Sequence, residues 1–155
     1  MTLDNVPIKA CIWDTVGQEQ YRSINRSFYK NAVGAWIVND LSLLITSKSL
    51  DMWLQELKTF ADKNLRIAIV GNKCDLEKNE DTVKLFKGYA EKYNYPYYEM
   101  SAKTGENVKS AFYSTIKEIK DLFYPNWKPS DKPSDTIRLS SESKMTEDND
   151  VSKCC

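Results

Sequence analysis

Apolar residues form four segments along the chain whose patterns are typical of strands. Residues 7–13, PIKACIW, place apolar side chains at every second position, which is the period of a strand. The segments GAWIVND (34–40) and LRIAIVG (65–71) are nearly continuous apolar runs, as in strands buried on both faces of a parallel sheet. The aromatic-rich segment YPYYEM (95–100) is a fourth predicted strand.

Between and after these strands, apolar residues recur at the three- and four-residue spacing of amphipathic helices. Such apolar faces run through residues 50–60, 83–93 and 108–123, and residues 19–31 give a weaker pattern of the same kind. Strands that alternate with helices predict βα units around a parallel sheet. The pattern therefore predicts an α/β fold.

The character of the sequence changes after residue 124. Residues 125–155 contain prolines at 125, 129 and 133, many serines, charges of both signs and no periodicity. We therefore predict one domain over residues 1–124, followed by a disordered tail over residues 125–155. A short extra helix is the alternative for this tail, but its prolines would interrupt it.

Composition excludes several functional classes. Lys plus Arg number 22 and Asp plus Glu number 22, so no excess of positive charge indicates nucleic-acid binding. No apolar run reaches the length of a membrane span, and the first residues, MTLDNVPIK, do not resemble a signal peptide, so we expect a cytosolic protein. The chain has no histidine, and its four cysteines form no C-x-x-C pair, which disfavours a zinc site and a disulfide framework.

Three polar motifs follow predicted strands directly. They are DTVGQ at residues 14–18, NKCD at residues 72–75 and SAK at residues 101–103. In open α/β sheets, ligands bind outside the carboxyl ends of the strands. The three motifs are therefore expected to converge on one binding crevice.

The NKCD motif has the chemistry to recognise guanine. The carboxylate of Asp75 can accept hydrogen bonds from N1–H and the 2-amino group of guanine, whereas adenine presents neither donor there. Asn72 can bond to the base or to the loop backbone, and the methylene stem of Lys73 can lie along the ring face. Taken alone, N-K-x-D also fits an ordinary polar loop.

The SAK motif strengthens the guanine interpretation because it follows one βα unit later. The backbone N–H of Ala102 could face guanine O6, with Ser101 and Lys103 bracing the loop. Two polar loops with this spacing are better explained by one shared ligand than by two unrelated turns.

The DTVGQ motif is suited to the phosphate end of a nucleotide. Asp14 fits an outer-shell position on Mg²⁺, bound through water. Gly17 has no side chain, so its N–H could approach a γ-phosphate closely. Gln18 could orient an attacking water for phosphoryl transfer. The alternative interpretation is a simple turn between a strand and a helix.

The segments WDTVGQEQYRSI, GNKCDL and SAKTGENV, in this order and spacing, closely resemble the Rab family of small GTPases from residue 2 to about residue 124. The resemblance implies a Ras-like G domain with the P-loop NTPase fold, three α/β/α layers and a mostly parallel sheet. It also implies binding of GTP and GDP with Mg²⁺, slow GTP hydrolysis, and a molecular switch in vesicle-mediated transport.

One family motif is absent from the sequence. Rab-like proteins carry G-x-x-x-x-G-K-[ST] after their first strand, but the glycines here are 17, 34, 71, 88 and 105, and no two are five apart. We therefore expect a partial G domain without the family's first strand and first helix. Losing about four phosphate hydrogen bonds would cost on the order of 8 kcal/mol, which turns nanomolar into roughly millimolar affinity.

The absence of the G-x-x-x-x-G-K-[ST] motif leaves an alternative function open. The chain could be a truncated product that binds no nucleotide and is a non-catalytic interaction protein, or the sequence could reflect an incomplete gene model. Under either reading, GTPase activity is expected from the resemblance and not from this chain by itself.

The chain ends in Cys154 and Cys155, and in Rab-like proteins such a pair is geranylgeranylated on both thiols. Two lipid chains give a stable membrane anchor, whereas one binds only marginally. The resemblance implies exchange factors, GTPase-activating proteins, effectors and prenylation escort proteins as partners. It also implies a location on the cytoplasmic side of endomembranes, in exchange with the cytosol.

Overall fold

The computed structural model describes residues 1–3, 6–15 and 28–125 of the chain. Its strands are β1 (Thr2–Leu3), β2 (Val6–Pro7), β3 (Gly34–Asp40), β4 (Arg66–Asn72) and β5 (Tyr97–Glu99). Its helices are α1 (Ser47–Phe60), α2 (Glu80–Tyr93) and α3 (Val108–Phe123). The α/β fold predicted from the alternation of strands and helices is confirmed.

A parallel sheet of three strands, in the order β3-β4-β5, forms the centre of the fold. Asp40 at the end of β3 lies opposite Asn72 at the end of β4, and Glu99 at the end of β5 lies opposite Gly71. Since the three strands are parallel, the loops that follow them leave the same edge of the sheet. The NKCD and SAK motifs are in two of these loops.

Helices cover both faces of this sheet. On one face, a buried cluster contains Ile37 and Ile69 of the sheet together with Leu54 of α1 and Phe86 of α2. On the other face, α3 packs against Trp36, whose indole N–H donates to a threonine hydroxyl of α3 over 3.0 Å. Alternate residues of one strand therefore face different helices, which explains why β3 and β4 are apolar without a polar alternation.

The limits of α2 follow from local hydrogen bonding. Asn79 precedes the helix, and its side-chain oxygen accepts the N–H of Thr82 over 3.0 Å, which satisfies one of the free donors of the first turn. Asn94 ends the helix in the left-handed conformation, with φ 54°, and its N–H donates to carbonyls of the last turn. Asparagine adopts this conformation more readily than most residues.

The predicted strand over residues 7–13 is wrong. Only Val6–Pro7 is a strand, paired antiparallel with Thr2–Leu3 in a short hairpin, and residues 8–15 form neither helix nor strand. Ile12 and Trp13 are 72% and 58% exposed. A two-residue period supplies an apolar face, but a strand also needs a neighbour to bond with, and no described strand pairs with this segment.

The other predicted elements are confirmed with small changes at their ends. The structure places strands at 34–40, 66–72 and 97–99, and helices at 47–60, 80–93 and 108–123. Most of the weaker helix prediction over residues 19–31 lies outside the described residues, although residues 28 and 29 are helical. The tail predicted over residues 125–155 lies outside the described residues from residue 126 onward.

In the described ranges, no helix combines the length and the apolar character needed to cross a membrane.

Candidate guanine-nucleotide site

The NKCD loop (residues 72–75) and the SAK loop (residues 101–103) are joined by a direct hydrogen bond. The backbone N–H of Ala102 donates to the side-chain oxygen of Asn72 over 3.0 Å. The sequence allows Asn72 to bond either to the base or to the loop backbone, and in the structure it bonds to the loop backbone. The N–H that was predicted to face guanine O6 is therefore engaged, and a bound base would have to replace the Asn72 oxygen as its acceptor.

Lys73 has an unusual backbone conformation, with φ 63° in the left-handed region. Such a conformation costs a residue with a side chain about 1–3 kcal/mol and persists only where its surroundings enforce it. Here the N–H of Leu76 donates to the carbonyl of Lys73 over 3.0 Å, and the N–H of Cys74 donates to the carbonyl of Met100 over 3.1 Å. These bonds hold the loop in one shape, as preorganised ligand loops require.

Asp75 presents an ionised carboxylate to solvent. It is exposed, and a hydrogen bond with the fully buried Ser101 is the main cause that lowers the pKa of its carboxyl. The positive charges of Lys103 and Lys73 lower that pKa further. Ser101 is itself fixed, because its hydroxyl oxygen accepts the N–H of Thr104 over 3.1 Å. The donor pattern of the guanine edge fits this acceptor.

A second set of contacts joins the end of β5 to Lys78, which follows the NKCD loop, and to Asn107, which follows the SAK loop. The ammonium of Lys78 lies 2.6 Å from one carboxylate oxygen of Glu99, and the hydroxyl of Tyr97 donates to the other over 3.0 Å. Burial alone would raise the pKa of Glu99, but these two hydrogen bonds outweigh it, and the pKa is lowered. The side-chain amide of Asn107 donates to the Glu99 carbonyl over 2.9 Å. The end of β5 is thus held on both sides.

Asp40 contacts this site through Lys73, and sequence reasoning missed it. Its carboxylate oxygen Oδ2 lies 2.6 Å from the Lys73 ammonium, and that hydrogen bond holds the pKa of Asp40 below its ordinary value. A signal was present, because Asp40 is the last residue of an apolar run that predicts a strand, as for the three polar motifs. The sequence alone does not give the β3–β4 register that brings Asp40 opposite Asn72 and close to Lys73.

The structure brings together six of the predicted site residues: Asn72, Lys73, Asp75, Ser101, Ala102 and Lys103. Asp14 is exposed in the segment 8–15, and no hydrogen bond or ion pair within the described residues joins it to this set. The other predicted positions lie outside the described residues: Gly17, Gln18, Cys154 and Cys155.

The arrangement suits the base of a nucleotide better than a metal ion. Among the residues that the structure describes, no group of three or more Cys, Asp or Glu side chains could hold a metal. Mg²⁺ in nucleotide sites usually takes only one or two carboxylates, together with substrate phosphates. Asp14 in an outer-shell position is compatible with that pattern, so a metal here would depend on the nucleotide itself.

Two clefts lie away from this edge of the sheet. One, of about 370 Å³, is lined by residues of α1 between Lys48 and Phe60. The other, of about 760 Å³, lies at the opposite end of the sheet, beside Arg66 and Pro96. Neither collects the polar groups of the NKCD and SAK loops, and ligand specificity needs such groups. We therefore assign the candidate site by its chemistry and not by cavity size.

Comparison with known proteins gives two results. Residues 1–121 match the family model described as "Ras family". The chain is also similar to the Ras-related protein Rab11A of Lotus japonicus, with 41% identity over 123 residues. This alignment covers 79% of the chain and 54% of the relative, so the chain spans about half the length of the curated relative that it matches.

Proposed function

This chain belongs to the Ras family, and on that premise we propose that it is a Rab-like small GTPase that binds GDP and GTP with Mg²⁺. The observation that carries the proposal is the hydrogen bond between Ala102 and Asn72, which holds two loops with guanine-recognising chemistry at one edge of the sheet.

Asp75 is the specificity residue in this proposal. Its exposed, ionised carboxylate accepts the N1–H and 2-amino donors of guanine, while Ser101 keeps it ionised and oriented. Adenine presents no such pair of donors, so its binding would remove water from the Asp75 carboxylate without replacing the lost hydrogen bonds. Selectivity for guanine over adenine follows from that unpaired charge.

The phosphate side of the site rests on residues around Asp14. Asp14 would bind Mg²⁺ through water, Gly17 would donate its N–H to the γ-phosphate, and Gln18 would orient the attacking water. Bound Mg²⁺ supplies positive charge that offsets the charge of the phosphates. These roles come from the family resemblance, and the function they support is a slow GTP hydrolase that works as a molecular switch.

Membrane attachment belongs to the same proposal. Geranylgeranyl groups on Cys154 and Cys155 would hold the protein on the cytoplasmic face of endomembranes, because two lipid chains give stable anchoring where one does not. Exchange factors, GTPase-activating proteins, effectors and a prenylation escort protein would be its partners. Its process would be vesicle-mediated transport.

Base selectivity tests the nucleotide proposal. We expect residues 1–155 to bind GDP with a dissociation constant that is roughly millimolar, because they supply guanine contacts but carry no G-x-x-x-x-G-K-[ST] sequence. ADP should bind at least about tenfold more weakly, since Asp75 rejects adenine. Isothermal titration with each nucleotide in the presence of MgCl₂ measures the GDP constant and sets a lower limit on the ADP constant. Equal affinities, or no GDP binding at 10 mM (about tenfold above the expected constant), would remove the proposal.

A further inference from the structure

The carboxylate of Asp40 is held in place by its own chain. Its oxygen Oδ1 accepts the backbone N–H of Ser42 over 2.9 Å and the hydroxyl of Ser42 over 2.7 Å. Only 15% of the Asp40 side chain is exposed. Because both bonds with Ser42 use the same oxygen, Oδ2 is left for Lys73, whose ammonium lies 2.6 Å away.

Lys73 is consequently fixed at both ends. Its backbone is locked in the left-handed conformation, and its ammonium is bound to Asp40. The methylene stem must span the gap between these two fixed points, yet 52% of the side chain stays exposed. An accessible stem that is already ordered can contact a flat ring without the loss of side-chain freedom that binding would otherwise cost.

We propose that Asp40 is a positioning residue of the guanine-nucleotide site and that it acts through Lys73. Asp40 holds the methylene stem of Lys73 in the place where a guanine base that is hydrogen-bonded to Asp75 contacts this stem. This inference rests on the proposed function, because it concerns the same site. It adds a residue from β3, so the site draws on all three parallel strands and not only on the two that carry the NKCD and SAK loops.

The test compares GDP affinity among variants of the full chain. Asp40→Asn keeps an oxygen for the Ser42 bonds but removes the charge that holds Lys73. We expect about twofold to fivefold weaker GDP binding, the range of a partly exposed ion pair. The matched control is Asp62→Asn: Asp62 also accepts the N–H two residues onward, over 2.8 Å, but lies at the other end of the sheet. Its affinity should equal that of the unmodified chain.

A double-variant cycle separates positioning from a structural effect. Lys73→Met keeps most of the stem and removes the ammonium, so it breaks the same ion pair from the other side. If Asp40 acts through Lys73, the Asp40→Asn/Lys73→Met chain should bind GDP as Lys73→Met does. Losses that multiply in the double variant, or an unchanged affinity in Asp40→Asn, would overturn the inference while GDP binding itself stands.

Two further outcomes are decisive. If the unmodified chain binds no GDP, the proposed function fails and the inference fails with it. If Asp40→Asn does not fold, Ser42→Ala answers the question, since it keeps the Asp40 charge and removes one bond that orients it. About twofold weaker GDP binding by Ser42→Ala supports the positioning role, and unchanged binding overturns it.

Discussion

Replacing Asp75 with Asn is expected to weaken GDP binding by roughly 10²–10⁴-fold. The carboxylate of Asp75 accepts two hydrogen bonds from guanine in our account, and each hydrogen bond to a charged group contributes roughly tenfold to a hundredfold in affinity. The amide of Asn keeps one acceptor but turns a donor toward a donor of the base. Because the unmodified chain is expected to bind GDP with a roughly millimolar constant, Asp75→Asn should show no binding in an isothermal titration up to about 10 mM GDP.

The control for this prediction is Glu77→Gln. Glu77 is exposed two residues further along, so the variant removes the same charge from the same neighbourhood without touching the base. GDP affinity of Glu77→Gln should remain within about twofold of the unmodified chain. ADP affinity should be the same in the unmodified chain and in Glu77→Gln, and it should not fall in Asp75→Asn, which has no charge there for adenine to desolvate. An Asp75→Asn chain that binds GDP as well as Glu77→Gln does would refute the assignment of Asp75.

Replacing Gly71 with Ala is expected to destabilise the fold by about 1–3 kcal/mol. A Cβ at this position would lie 2.5 Å from Cδ2 and 2.7 Å from Cγ of Leu41, a side chain with no exposed surface that cannot swing into solvent. Alanine is favoured over glycine within a strand by only about 0.5–1 kcal/mol, so the clash dominates. Urea unfolding measured by circular dichroism gives the free energy.

Gly88→Ala is the matched control, because a Cβ there meets no atom within 4 Å and Gly88 lies inside α2. We expect Gly88→Ala to stabilise the fold by about 1 kcal/mol. Leu41→Ala should cost about 2–5 kcal/mol alone, yet make room for a Cβ at Gly71. The Leu41→Ala/Gly71→Ala pair should therefore lose less stability than the sum of both. If the losses of stability in the two single variants add up in the double variant, Leu41 is not the side chain that excludes a Cβ at position 71.

Much of the fold could be predicted because its apolar patterns are long and belong to strands that are paired. The run at 34–40 predicts β3 with its observed limits, and 65–71 predicts β4 within one residue. The segment 7–13 has an equally clear two-residue period, but no described strand pairs with its residues 8–13. These residues consequently form no strand. Periodicity reports which face is apolar, whereas pairing depends on chain segments that are distant in sequence.

The same limit applies to the candidate site. Asp75 and Ala102 could be proposed from motif chemistry, and the structure places their loops in contact through Asn72. Asp40 could not be joined to Lys73 from sequence, because their contact depends on the register that sets Asp40 opposite Asn72. The left-handed backbone of Lys73 was likewise hidden, since no glycine or asparagine marks that position.

The most direct test of the account is the amide NMR spectrum of the ¹⁵N-labelled chain during titration with GDP and, separately, with ADP. If the edge formed by residues 72–75 and 101–103 binds guanine, the N–H of Ala102 must exchange the Asn72 oxygen for guanine O6. We predict that the Ala102 amide shows one of the largest shifts with GDP and almost none with ADP. Equal shifts with both nucleotides, or GDP shifts confined to the cleft on α1, would contradict the account.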